Sequence, residues 1–314
     1  MLSAMRYIWK PAGEPEMRSS KAVEMVKSFE QTNPTSQLLP LAGGAYRTTP
    51  EPVPFLARMF PTVTFYSRFL ATVLKSSSQA KRGRYGDDVW GRSSLEVLRA
   101  LEGVGVNIEI TGVDHFERLA TPCVFIANHM SLMETLVLPC LIQPMRRVTF
   151  IVKDSLLKYP VFRHVMRSRD PIAVGRTNPR LDLKTVLEGG TERLKKGVSI
   201  IVFPQTTRTD SFEPSQFNTI GVKLAQRANV PAVPMALLTD AWPNGRTFKD
   251  FGRIDPSKRV HFAFGEPLWI RGRGTEEHQA IIHFIMEKLE AWEGGRGRNR
   301  APEPWRPEGD CVAE

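Results

Sequence analysis

The segment Asn128-His129-Met130-Ser131-Leu132-Met133-Glu134 follows the apolar run Cys123-Val124-Phe125-Ile126-Ala127, so an imidazole sits at a strand-like end with a carboxylate five positions on. A neutral imidazole, with an ordinary pKa of ~6.5, takes a hydroxyl proton near neutral pH. A carboxylate beside it orients the ring and stabilises the imidazolium that forms. Such a pair suits general-base activation of an alcohol, as in acyl transfer to a hydroxyl. A spacing of five is not that of helical neighbours, which places His129 on the turn before the helix that carries Glu134. Ser131 to Glu134 also fits the capping box S-x-x-E, in which the glutamate satisfies the free N–H groups of a helix start. The two roles of Glu134 are compatible, and His129 as an ordinary turn residue is the competing reading.

Two arginines stand at comparable positions. Arg176 follows the short run Pro171-Ile172-Ala173-Val174 and Gly175; Arg208 lies in Phe203-Pro204-Gln205-Thr206-Thr207-Arg208-Thr209, where Pro204 ends an apolar strand. In open α/β sheets ligands gather at the carboxyl ends of strands. Guanidinium groups bind phosphate bidentately, so His129, Arg176 and Arg208 together would hold a phosphorylated alcohol beside a base. Taken singly, each arginine equally fits a surface ion pair. A fourth run, Val230-Pro231-Ala232-Val233-Pro234-Met235-Ala236, reads as a buried strand with prolines at an irregular start.

The elements that must position these groups follow from periodicity. Strands are expected at 104–111, 123–127, 148–152, 171–174, 198–203, 232–238 and 260–264. Helices are expected near 93–102, 132–142, 154–167, 180–196, 216–228 and 276–292, with Asn229 closing the fifth in the left-handed conformation. Apolar runs alternating with helical patterns predict an α/β domain over 90–292, with a mixed, mostly parallel sheet flanked by helices. Residues 1–52 read as an irregular extension with one helical candidate, Ser20 to Gln31, and residues 293–314 as a disordered tail. In 53–89, apolar residues at three- and four-residue steps from Leu56 to Leu74 predict an amphipathic helix, followed by a flexible basic stretch from Lys75 to Arg84. Arg58, Arg68 and Pro61 disfavour spanning a bilayer, so the helix is expected either to lie at a membrane interface or to pack on the protein's own core.

The chain has 314 residues, with 43 Lys and Arg against 33 Asp and Glu, a formal charge of +10. That excess fits an acidic partner such as anionic lipid or a phosphorylated substrate, and equally a solubilising surface. Cys123, Cys140 and Cys311 show no metal or redox spacing, which suits a reducing compartment. The N-terminus lacks the apolar core of a secretory signal. Charge alone does not make a nucleic-acid module, and no second His or Cys lies at metal-ligand spacing from His129.

In order and spacing these runs resemble the four blocks of the glycerolipid acyltransferase family that includes 1-acyl-glycerol-3-phosphate acyltransferases. Asn128 to Glu134 is similar to N-H-x-S-x-x-D, and Pro171 to Arg176 to the strand-plus-arginine block. Phe203 to Thr209 is similar to F-P-E-G-T-R-S, and Val230 to Ala236 to V-P-V-V-P-V-A. The resemblance runs from Trp90 to Trp292. It implies His129 as general base, Glu134 as its orienter, and Arg176 and Arg208 as headgroup ligands. The other block residues, Asn128, Ser131, Gln205, Thr206 and Thr207, are implied to line the substrate.

The implied reaction moves a fatty acyl group to a lysophospholipid with no bound cofactor, acyl-CoA or acyl carrier protein being the co-substrate. The implied place is the cytoplasmic face of a membrane. Phospholipid-dependent transacylation and a catalytically silent lipid-binding protein are the alternatives on the same fold. Two departures stand out: Glu134 replaces Asp, and Gln205-Thr206 replaces Glu-Gly, which removes a carboxylate from the neighbourhood of Arg208.

Overall fold

The computed structural model of the protein describes residues 38–205 and 207–296. The helix expected over Ser20 to Gln31, Thr206, Cys311 and the rest of the C-terminal tail lie outside the described residues.

In chain order the elements are β1 (Tyr46–Arg47), α1 (Phe55–Met59), α2 (Pro61–Lys81), α3 (Asp87–Glu102), β2 (Ile108–Thr111), α4 (Val113–Glu117), β3 (Val124–Ala127), α5 (Met133–Ile142), β4 (Val148–Lys153), α6 (Arg163–Ser168), β5 (Ile172–Val174), α7 (Pro179–Lys195), β6 (Ser199–Val202), α8 (Ile220–Ala228), β7 (Ala232–Leu238), β8 (Val260–Phe264) and α9 (Thr275–Arg296). Eight strands form one sheet in the order β1-β2-β8-β7-β3-β6-β4-β5. All neighbours are parallel except β1 with β2 and β7 with β8. The fold is therefore the expected mixed, mostly parallel α/β sheet flanked by helices.

The central strands are apolar without interruption because both faces of a parallel sheet are covered. Alternation then assigns each side chain a face. Phe125 and Ala127 of β3, Phe150 of β4, Ile201 of β6 and Met235 of β7 share a core with α2, α3 and α5. Val124 and Ile126, Ile200 and Val202, and Ala236 and Leu238 share the opposite core with α7, α8 and α9. Helix α8 approaches β3 so closely that a Cβ on Gly221 would come within 2.8 Å of the Ile126 side chain. Asn229 closes α8 at φ 52, as its place in the pattern predicts.

Some departures from the sequence pattern have local causes and others come from distant contacts. The expected helix over 154–167 is broken: a 3-10 turn, Asp154–Lys158, is followed by α6, because Pro160 holds Tyr159 extended at ψ 124. The strand expected from Val104 begins only at Ile108, since the chain first reverses through Gly105 at φ 95. Helix α8 starts at Ile220, after a 3-10 turn at Pro214–Gln216. Residues expected to be irregular supply the edge strand β1 and bury Leu39 and Tyr46 in the core.

The basic stretch expected to be flexible is helical through Lys81. Ser76 is buried there, and Ser77 donates through Oγ to the Val161 carbonyl at 2.8 Å, so tertiary contacts hold what composition reads as a linker. Pro61 opens α2 at its first turn and separates it from α1.

Helix α2 carries two apolar stripes. Phe65, Phe69 and Val73 are buried, whereas Val63, Leu70 and Leu74 are exposed. At ~100° per residue the exposed set lies roughly 140–180° around the helix from Phe65. The expectation of packing on the core holds for one stripe, and the other faces outward.

Candidate functional site

Strand β3 ends at Ala127, and the next two residues are held from opposite sides. Asn128 donates through Nδ2 to the Leu237 carbonyl at 2.8 Å, and its Oδ1 accepts from Leu237 N at 2.9 Å. Both amide atoms are thus spent stitching β3 to β7, and the residue is buried. Asn128 is a clamp within the sheet end, not the substrate contact its motif position implies. His129 N donates to Gln205 Oε1 at 2.7 Å, and the His129 carbonyl accepts from Thr209 N at 3.0 Å. Gln205 Nε2 donates to Thr209 Oγ1 at 2.7 Å, closing a ring between the ends of β3 and β6.

The His129 backbone is therefore fixed by the segment that carries Arg208. Gln205→Leu is expected to lower stability by about 1–3 kcal/mol, the cost of an orphaned buried N–H, and kcat by roughly tenfold through lost alignment. Thermal melts and steady-state rates check this; an unchanged kcat would detach Gln205 from the site.

The His129 ring stacks on Phe203, with centroids 4.2 Å apart and planes at 17°. Its Nδ1 lies 2.5 Å from Glu134 Oε2. The second carboxylate oxygen, Oε1, accepts from Met130 N at 2.8 Å, Ser131 N at 3.0 Å and Thr239 Oγ1 at 2.7 Å. Ser131 Oγ in turn donates to Thr239 Oγ1 at 2.9 Å and accepts from Met133 N at 3.1 Å. Glu134 thus performs both roles open to it in the sequence. Oε1 caps the start of α5, where the helix dipole favours a negative charge, and Oε2 holds the imidazole. One carboxylate in the first turn of α5 thus spans both tasks.

Glu134 is fully buried, while the His129 side chain keeps 16% of its surface exposed. With Nδ1 turned to the carboxylate as donor, Nε2 is the basic nitrogen, and it has no hydrogen-bond partner among the described residues. Cys123 and Cys140 are no rivals as nucleophiles, because burial pushes their thiols up to about 11 and about 12.

Arg208 lies beside this network. Its Nη2 donates to Asp250 Oδ1 at 2.5 Å, and its buried Nη1 has no partner. Lys249 Nζ reaches Thr207 Oγ1 at 2.6 Å and the Arg208 carbonyl at 3.3 Å. The loop bearing Lys249 and Asp250 is anchored from behind: Trp242 Nε1 donates to the Asp250 carbonyl at 3.3 Å, and the Tyr66 hydroxyl to the Gly252 carbonyl at 2.7 Å. Burial pushes the Tyr66 phenol up to about 12, so it remains a donor. Trp242 packs against Phe65, Tyr66 and Phe69, which links this loop directly to α2.

Arg176 is placed differently. It follows β5 in the left-handed conformation at φ 59 and is exposed. Strands β3 and β5 are three positions apart, so the ends bearing His129 and Arg176 are separated by roughly 14 Å. His129, Glu134, Gln205 and Arg208 converge; Arg176 shares their end of the sheet without joining them. Sequence reasoning missed Thr239, Phe203 as a ring partner, and Asp250. Thr239 had a weak signal as the first polar residue after the buried run of β7, and Asp250 had none.

Comparison with known proteins agrees with this geometry. Residues 107–238, which hold His129, Glu134, Arg176 and Arg208, match the family model Acyltransferase. A 1-acyl-sn-glycerol-3-phosphate acyltransferase of Pseudomonas aeruginosa is 29% identical over 227 residues, covering 72% of this chain and 80% of that protein. One from Cocos nucifera is 27% identical over 183 residues, covering 58% of this chain and 56% of that protein. The chain superimposes on the crystal structure of the 1-acyl-sn-glycerophosphate (LPA) acyltransferase PlsC from Thermotoga maritima with a TM-score of 0.60, covering 79% of this chain and 99% of that one at 19% identity, a likeness of fold. The sheet, the strand-end dyad and the matched segment coincide, and together they support the glycerolipid acyltransferase family as the one this chain resembles.

Proposed function

We propose that the protein transfers a fatty acyl group from an acyl thioester, of coenzyme A or acyl carrier protein, to the free hydroxyl of lysophosphatidic acid or a closely similar lysophospholipid. The observation that carries this reading is the buried Glu134 carboxylate 2.5 Å from His129 Nδ1, at a sheet end beside Arg208. His129 Nε2 removes the hydroxyl proton as the oxygen attacks the thioester carbonyl. Glu134 stabilises the imidazolium that forms. As the tetrahedral intermediate collapses, the imidazolium returns the proton to the departing thiolate, and no covalent acyl-enzyme is formed. Arg208 receives the phosphate of the acceptor, and Arg176 adds a second cation on the same sheet end.

The acceptor is membrane-embedded, and the outward surface of α1 and α2 suits delivery from a bilayer. Phe55, Leu56, Met59, Phe60, Val63, Leu70 and Leu74 are all more than half exposed. No helix among the described residues is long and apolar enough to cross a membrane. We assign this face to interfacial docking, with the neighbouring basic residues toward anionic headgroups. Replacing Val63, Leu70 and Leu74 by serine is expected to weaken vesicle binding by roughly a hundredfold, at about 1 kcal/mol per side chain, while the melting temperature holds. Unchanged vesicle partition would remove the assignment.

The central test is thiol release and product formation by purified protein, supplied with long-chain acyl-CoA or acyl carrier protein and a panel of lysolipids in vesicles. Headgroup-dependent formation of diacyl product is expected. Folded protein that makes no product with either thioester and any lysolipid would overturn the reading.

A further inference from the structure

The third motif block of this chain has Gln205 where the family block has Glu, which leaves the Arg208 segment without its own carboxylate. The fold supplies one from elsewhere. Asp250, 42 residues later, reaches Arg208 Nη2 at 2.5 Å from a loop pinned by Trp242 and, two residues on, by Tyr66 at the Gly252 carbonyl. Gln205 is turned inward onto His129 and Thr209, so it does not take this role. The result is an asymmetric guanidinium: one terminal nitrogen is held by a carboxylate, and the other is buried and unpartnered.

We infer that Asp250 is a specificity-determining residue that discriminates acceptors by headgroup charge. It disfavours the phosphomonoester dianion and favours a phosphodiester whose headgroup also carries an ammonium. The inference rests on the lysolipid acceptor reading above.

The physical reason is charge and geometry. A phosphate that docks on Arg208 meets a guanidinium whose Nη2 already donates to Asp250, so the carboxylate competes with it for a two-pronged grip. It also lies beside the Asp250 carboxylate. A phosphomonoester carries a charge of about −1.5 to −2 near neutral pH and is repelled more strongly than a phosphodiester with a single charge. The Asp250 side chain is 41% exposed, against 15% for Arg208, so the carboxylate faces the outer part of the site and can receive a cation carried beyond the phosphate. Lys249 next to it is already turned to Thr207 and the Arg208 carbonyl. The ion pair is thus a template for a zwitterion: anion on Arg208, cation on Asp250.

The test measures kcat/KM for lysophosphatidic acid and lysophosphatidylethanolamine of one acyl chain, with wild type, Asp250→Asn and Asp250→Glu. Binding of soluble glycerol 3-phosphate and glycerophosphoethanolamine is followed in parallel by ligand-observed NMR. Asp250→Asn is expected to shift both preference ratios toward the phosphomonoester on the order of tenfold, while Asp250→Glu, which keeps the charge, restores most of the wild-type ratio. Turnover with an unchanged ratio in Asp250→Asn would overturn the inference and leave the acyltransferase reading standing. No turnover, with a shifted binding ratio, would overturn the acceptor reading and leave the charge discrimination standing. No turnover and no shift would end both.

Discussion

His129→Ala is expected to lower kcat for acyl transfer by about 10³-fold while leaving KM for the lysolipid within a few-fold of wild type. A positioned general base contributes typically 10² to 10⁴, and 10³ corresponds to about 4 kcal/mol of transition-state stabilisation. In the proposed mechanism the loss falls on kcat, because the base is assigned to the proton in flight and the headgroup to Arg208, on a different strand end. The alanine variant also leaves Glu134 Oε2 buried without its donor and removes the ring stacked on Phe203, so it costs stability as well. His129→Asn separates the two effects. Its amide can place an N–H close to where Nδ1 stands, which satisfies the carboxylate, but it offers no basic nitrogen in place of Nε2. Both variants should be inactive, and only the alanine variant should melt early. An asparagine variant that keeps more than a tenth of wild-type kcat would remove His129 as the base.

Glu134→Gln should be nearly as damaging, with kcat reduced roughly 10²- to 10³-fold, for a reason that lies in its other oxygen. Oε1 accepts from two backbone N–H groups and the Thr239 hydroxyl, all inside the protein. In the glutamine variant the side-chain carbonyl oxygen must remain there, because turning the NH2 toward those donors would bury donors facing donors. The NH2 is then forced toward His129 Nδ1. The ring can meet a donor only with Nδ1 unprotonated, which puts the proton on Nε2, the nitrogen that has to act as base. The substitution is isosteric, yet it selects the wrong tautomer and removes the charge that stabilises the imidazolium. The expected signature is a low kcat with near-normal KM and an unshifted melting temperature. Glu134→Asp, whose carboxylate sits one methylene back, should serve one of its two tasks and lose the other, giving an intermediate rate. Wild-type rates in Glu134→Gln would show that the carboxylate only caps the helix.

Much of the architecture could be read locally. Strands β7 and β8 span the residues the apolar runs delimit, and α7 and α9 begin within a residue of their expected starts, because burial on both faces of a sheet leaves an unbroken apolar signal and helix faces repeat at 3.6 residues. Beside the local breaks at Pro160 and Gly105, the failures were at segments whose state depends on distant contacts. Lys75 to Lys81 is helical because Ser77 meets Val161. The edge strand β1 exists because it pairs with Ile110 and Glu109.

The site divides the same way. The kinds of group available, a histidine at a strand end, a glutamate in the next helix and arginines at two other strand ends, were determined by the amino-acid sequence alone, since side-chain chemistry and local periodicity are properties of neighbouring residues. Which polar groups face a substrate and which hold the protein together was decided only by the tertiary structure. Asn128 and Gln205 turned inward, Thr239 arrived from 105 residues away to complete the Glu134 oxygen, and Asp250 came from a loop 42 residues past Arg208. A hydrogen bond requires its partners within about 3 Å and in line. The strand order that sets β3 between β7 and β6 alone brings those partners together.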